Sequence, residues 1–239
     1  PSCASLGHLV APPKIHWNHH GPNSRPLSRS LMRVSCDIVQ LVHNPLYAES
    51  GSMYSLYCAR HCVDEDFLLL ESDLVYERRA LTACLESPSD NVVLLSALSK
   101  SSDEVFVETR DGELVAMSKN RDHLGEEILG ALVGICKISR SLFSVMLNTA
   151  EQRFLTTRHM DYETDCLVAA ARVMPVSCHV VEDLIWCEID DESHLARARK
   201  WIYPTILGQK NTTVAPARQG IRSQPAWPQR RFGEHQAGL

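Results

Sequence analysis

Residues 66–96 read DFLLLESDLVYERRALTACLESPSDNVVLLS. The run from Asp66 to Leu70 is continuous, apolar and short, ends in Glu71-Ser72-Asp73, and reads as a strand. From Tyr76 to Glu86 the period changes: Ala80, Leu81, Cys84 and Leu85 share one helical face, which predicts a helix. Asn91 to Ser96 returns to a buried strand. Working outward, Asp37 to Val42 is β-branched and apolar, and Asn44-Pro45 breaks it before a helix over Ser52–His61 with Ser52 as N-cap. On the other side, Glu104–Glu108 meets Glu113–Met117 across Asp111-Gly112, a strong hairpin signal. Ala131–Ile138 is a further strand, and Ser139 caps a helix running into Leu147. A helix over Asp161–Val173 stops at Pro175, strands follow at Val176–Val181 and Leu184–Ile189, and a last helix spans Ser193–Trp201 before Pro204. Strand–helix alternation with one inserted hairpin predicts an α/β fold with an open sheet of mixed direction.

Composition sets the limits of function. The chain has 239 residues, 44% apolar and 22% charged, which excludes a collagen-like fibre, a disulfide knot and a wholly disordered chain. Its apolar runs, such as Phe67–Leu70, fall far short of the ~20 residues that cross a bilayer, so no membrane role is expected. A net charge of −5 argues against a large basic surface for nucleic acid. The charge is uneven. Residues 1–34 carry four basic residues and no acid, and residues 207–239 carry five basic residues and one acid. Residues 35–206 hold 15 basic against 28 acidic residues, and eight of the twelve prolines lie in the two flanks. The flanks therefore read as linker or tail around a folded unit over 35–206. Cys84, Cys136 and Cys166, three of nine cysteines, sit in apolar runs as small core side chains. With no basic start and long apolar run in the opening residues, a reduced, cytoplasmic setting is the expectation.

In such sheets ligands bind beyond the carboxyl ends of the strands. Two acidic groups stand at strand ends: Glu71 and Asp73 after DFLLL, and Glu188, Asp190 and Asp191 after LIWC. Carboxylates so placed suit Mg²⁺, which takes one or two protein oxygens and completes its octahedron with water and phosphate. Polar turns are the alternative reading. His16, His19 and His20 lack a framing carboxylate or cysteine, and Cys58, His61 and Cys62 lack the second pair a structural zinc needs, so neither is read as a metal site.

An ordered series of short motifs resembles the CTP-dependent cytidylyltransferases that act on small phosphorylated amines. It comprises NPLY (44–47), GSMYSL (51–56), FLLLESDLVYE (67–77), DEVFVE (103–108), LVAMSK (114–119), VGICKIS (133–139), HMDYE (159–163) and LIWCEIDDESHLARA (184–198). The series is most similar to 2-aminoethylphosphonate cytidylyltransferase domains, with the phosphocholine enzymes of the sugar-nucleotidyltransferase type close behind. The resemblance implies a Rossmann-like nucleotidyltransferase domain over 35–206 that transfers CMP from CTP to 2-aminoethylphosphonate, an enzyme of phosphonate metabolism that releases pyrophosphate. By position, Asp73 and Asp190 match the family's Mg²⁺ carboxylates and Lys119 a lysine beside phosphate or phosphonate oxygens. Ser55 and Ser72 fall on the nucleotide side. Asp161, Tyr162 and Glu163 lie where the aminoalkyl end of the substrate is held; two acids and one aromatic residue favour a primary ammonium over choline.

The family's opening glycine-rich triphosphate loop has no clear counterpart. Gly21-Pro22-Asn23-Ser24-Arg25-Pro26-Leu27 follows no strand, and its two prolines remove amides such a loop uses. Three readings follow: a cytidylyltransferase, with phosphocholine as the alternative acceptor; a non-catalytic nucleotidyltransferase-like module that lacks the loop; and a metal-dependent glycosyltransferase, whose acidic motif Glu71-Ser72-Asp73 imitates.

Overall fold

The computed structural model describes residues 14–15, 39–98 and 104–210. Apart from residues 14–15 and 207–210, the basic flanks lie outside the described residues, including the histidine tract and the segment 21–27, as does the start of the strand expected at 37–42.

Strand β1 (Lys14–Ile15) pairs in parallel with β2 (Val39–Gln40) as a two-residue ladder. The centre of the fold is a six-stranded sheet. Its strands are β3 (Phe67–Leu70), β5 (Val92–Ser96), β6 (Phe106–Arg110), β7 (Glu113–Ser118), β8 (Ile128–Ile138) and β9 (Ser177–Val181), in the order β3-β8-β5-β9-β7-β6. Only β5 and β9 run parallel; the other pairings are antiparallel. The 11-residue β8 binds β3 through Ile135 to Ile138, β5 between Ala131 and Lys137, and β6 with Ile128, Gly130 and Ala131.

β5 is buried along its whole length, and its alternation divides the core. Val93 and Leu95 face a cluster with Met53, Leu142, Phe143, Met146 and Tyr162, drawn from α1 (Ser52–Cys58), α3 (Arg140–Phe154) and the turn around residue 162. Val92 and Leu94 face the other way, onto Ala80 and Cys84 of α2 (Arg79–Glu86) with Val133 and Ile135 of β8. Helices thus cover both faces, and each fully buried Val or Leu contributes about 1.5–3 kcal/mol. The Asp111-Gly112 hairpin forms as expected, with φ of 55° and 79° at its two central residues. Ser139 caps α3 through the Leu142 amide, and the helix runs on to Phe154.

Several boundaries differ from expectation. Leu74–Tyr76 forms strand β4, and α2 begins only at Arg79. β4 pairs antiparallel with β10 (Trp186–Glu188) in a separate ribbon, matching Tyr76 with Trp186, Val75 with Cys187 and Leu74 with Glu188. That ladder, formed with residues 110 positions away, overrides the local helical period. Ser52 is the first residue of α1 rather than its cap; Gly51 occupies the cap position. Residues 162–167 form a π-helical turn that leads into α4 (Val168–Ala171). The last helical region comprises α5 (Glu192–Arg197), a π-turn at Ala198–Ile202 and α6 (Tyr203–Lys210), and passes through Pro204. Pro204 lies directly after the π-turn and removes one amide from this continuous helical stretch instead of ending it as expected. Cys84, Cys136 and Cys166 are buried, and all seven described cysteines are free thiols. Among the described residues, no helix is long and apolar enough to cross a membrane.

Candidate functional site

The β4–β10 ribbon carries the acidic strand ends to one place. Beyond the Glu188–Leu74 pair, the Ile189 amide donates to the Asp73 carbonyl at 2.9 Å. Asp73 and Asp190, 117 positions apart in sequence, therefore lie at the same end of the ribbon, both exposed. At the opposite end Glu77, buried to 3% exposure, accepts from Arg79 at 2.6 Å and from the Ile185 amide at 2.9 Å. Burial opposes its charge, but these bonds prevail and hold its carboxyl below the usual range.

No such compensation operates at the Asp73 end. Glu71 is raised above the usual carboxylate range, first by burial, against the opposing Tyr162 hydrogen bond, with the Asp73 charge adding to it. Glu188 is pushed up to about 7, by burial and then by the charges of Glu71, Asp190 and Asp73. The cation that acts on both is Lys119, exposed just past the end of β7. Four carboxylates thus share one field with one lysine, an arrangement that favours binding a further cation. Asp190 Oδ2 also lies 3.4 Å from His194 Nδ1. Asp191 is spent on structure: its Oδ1 caps α5 by accepting from the His194 amide and the Ser193 hydroxyl, both at 2.8 Å.

A second group adjoins the first. The Ser52 hydroxyl accepts from the Tyr162 amide at 2.9 Å and stands 3.3 Å from Asp161 Oδ1 and 3.4 Å from Glu163 Oε2. One hydroxyl proton faces two carboxylates, so only one can receive it. Asp161 is exposed, and its side chain makes no cap hydrogen bond to the turn that follows it. Glu163 turns inward; burial and then the Asp161 and Glu71 charges push it up to about 7, against the Ser52 bond. Tyr162 points away from solvent, 5% exposed, and its hydroxyl donates to Glu71 Oε1 at 2.7 Å.

The structure thus brings Asp73, Asp190 and Lys119 into one electrostatic neighbourhood, and Glu71 joins it to the Asp161–Glu163 turn. Ser72 is exposed in the β3–β4 turn beside Asp73. Ser55 is buried on α1, where its Oγ accepts from Asn44 Nδ2 at 2.9 Å. Glu71, read from sequence only as one of the acidic strand ends, takes a larger part, and Gly134 is added. Glu71 is the hub of the hydrogen bonds and charges just described. Gly134 of β8 makes room for it: its φ is +78°, and a Cβ there would strike the Glu71 carboxylate. A lone glycine inside the apolar run ALVGICKI was the available signal, since a glycine within a strand marks a bulge or a close approach.

The donor set suits magnesium. Asp73 and Asp190 offer hard oxygen donors from adjacent strand ends, and Mg²⁺ needs only one or two carboxylates. Among the described residues, no three histidine, cysteine or acidic side chains converge closely enough to hold a metal ion by themselves, so Asp73 and Asp190 would leave most positions to water and phosphate.

Superposition on solved structures decides the architecture. The inositol-1-phosphate CTP transferase from T. maritima matches with a TM-score of 0.54 at 19% identity, over 74% of this chain and 68% of that one. A putative glucose-1-phosphate thymidylyltransferase from Bacillus anthracis matches with a TM-score of 0.50 at 12% identity, over 67% of this chain and 62% of that one. The fold is that of the nucleotidyltransferases. In sequence, the bifunctional IPC transferase and DIPP synthase of Aquifex aeolicus is 23% identical over 162 residues, 67% of this chain. The chain spans 35% of the length of that curated relative. No protein-family model matches it.

Proposed function

We propose that this chain is a cytidylyltransferase that transfers CMP from CTP to a small phosphonate or phosphorylated alcohol. The observation that carries the reading is the joining of Asp73 to Asp190 by the β4–β10 ribbon, with Lys119 as the cation acting on the acids around them. The T. maritima inositol-1-phosphate CTP transferase named above supports the nucleotide, as does the ordered motif series. In the reaction an acceptor oxygen attacks the α-phosphorus of CTP; the bond to the oxygen bridging to the β-phosphorus breaks, and pyrophosphate leaves with its electrons. Bringing two anions together demands alignment and neutralisation. Lys119 would meet the phosphoryl or phosphonate oxygens and Ser72 would face the nucleotide, while Ser55, buried and bonded to Asn44, would support that side from within α1. Mg²⁺, held by Asp73 and Asp190, would supply Lewis-acid charge.

For the acceptor, 2-aminoethylphosphonate is the preferred reading. The inward Glu163 and the exposed Asp161 surround a single hydroxyl, a setting that suits an ammonium with three donors. Tyr162 is committed to Glu71 and offers no open aromatic face, which weighs against phosphocholine. A polyol phosphate is the second reading, favoured by the T. maritima neighbour, because carboxylates also accept from hydroxyls. The test is pyrophosphate release from CTP and Mg²⁺ with 2-aminoethylphosphonate, phosphocholine and inositol-1-phosphate in parallel. The highest kcat/KM is expected with 2-aminoethylphosphonate. Release with none of the three would contradict transfer to this class and favour a non-catalytic module.

A further inference from the structure

Tyr162 and Glu71 belong to different parts of the site. Tyr162 opens the π-helical turn that holds Asp161 and Glu163, and its amide is tied to Ser52. Glu71 follows β3 and precedes Asp73 by two residues; its own amide donates to the Gly134 carbonyl at 3.0 Å. The Tyr162 hydroxyl joins the two across 91 positions of sequence, at 2.7 Å and with its ring buried in the core. Glu71 is held from two sides, its Oε1 by the phenol and its carboxylate against the Cβ-less Gly134. A short bond to a carboxylate from a buried, rotamer-locked ring fixes separation more tightly than packing alone.

We infer that Tyr162 is a positioning residue: through its bond to Glu71 it sets the spacing between the turn that holds the acceptor's far end and the Asp73–Asp190 pair where its phosphoryl or phosphonate group reacts. This rests on the cytidylyltransferase reading above. The consequence is kinetic. A loosened turn still binds acceptor and CTP, but fewer bound complexes place the attacking oxygen in line, so the loss falls on kcat.

The experiment compares the full chain with Tyr162→Phe, Glu71→Gln and the double variant. It measures pyrophosphate release with the best acceptor, and CTP binding stoichiometry in the presence of Mg²⁺. For Tyr162→Phe the expectation is a fall of about tenfold in kcat, KM for either substrate within about threefold, and unchanged stoichiometry of CTP binding. The double variant should lose no more than the worse single variant, because both changes break one link. A kcat for Tyr162→Phe within twofold of wild type would overturn the inference, as would losses that multiply in the double variant. A wild-type chain inactive with every acceptor would instead remove the functional reading and this role with it.

Discussion

The two ends of the β4–β10 ribbon are both acidic, and they treat their acids in opposite ways. At one end Glu77 is buried but answered by Arg79 and the Ile185 amide, so it stays ionised as a structural tie. At the other, Glu71 and Glu188 feel the charges of Asp73 and Asp190 as well as that of Lys119, and Glu188 is pushed up to about 7. On the proposed function, the Asp73 end is the one that would take a cation from outside.

The sharpest break of this comparison is Asp190→Ala. Its side chain is 54% exposed, so stability should change by less than about 0.5 kcal/mol. Transfer activity should fall about 100-fold or more, as when an electrostatic stabiliser of the transferring group is lost. Pyrophosphate release and thermal melting, measured on one preparation, separate the two effects; a variant that keeps full activity would remove Asp190 from the site.

Next in size is Gly134→Ala. A residue with a Cβ at φ +78° costs about 1–2 kcal/mol, and the collision with Glu71 adds to it. Urea denaturation should show a loss of about 2 kcal/mol or more. A neutral substitution would mean that Glu71 is not pinned on β8.

The last comparison of the two ends is between pH slopes of opposite sign. Glu163 and Glu188 are raised from 4.5 to about 7, so the folded chain binds more protons than the unfolded one between those values. Their contribution is complete below pH 4.5 and is lost as pH rises through 7. Glu77 is lowered, so its contribution is present above 4.5 and lost as pH falls through its folded value. Urea midpoints should therefore decline from about pH 5 to 8 and also at the acid end. Glu188→Gln should flatten the first limb and Glu77→Gln the second; equal effects on both limbs would abolish the distinction between the ends.

Much of this architecture was legible in sequence because its causes are local. β5 is a short apolar run, Asp111-Gly112 demands positive φ, and Ser139 sits where a cap must be. The acidic strand ends were legible for the same reason. What stayed hidden depends on distant partners. β4 is a strand only because Trp186 to Glu188 come to pair with it. The Tyr162–Glu71 bond leaves no trace in spacing, and the hydroxyl of Ser52 reads as a helix cap until Tyr162 is seen to donate to it. The burial that raises Glu163 and Glu188 comes from elements packed around them and has no counterpart in the motifs.

The most direct test of the account is equilibrium titration of the full chain with CTP, with and without Mg²⁺, beside Asp73→Asn and Asp190→Asn. If the two aspartates share the cation that meets the nucleotide, wild type should bind CTP in a Mg²⁺-dependent manner and each variant should lose that dependence while remaining folded. CTP binding that is indifferent to Mg²⁺ and to both substitutions, or no CTP binding by the wild-type chain, would contradict it.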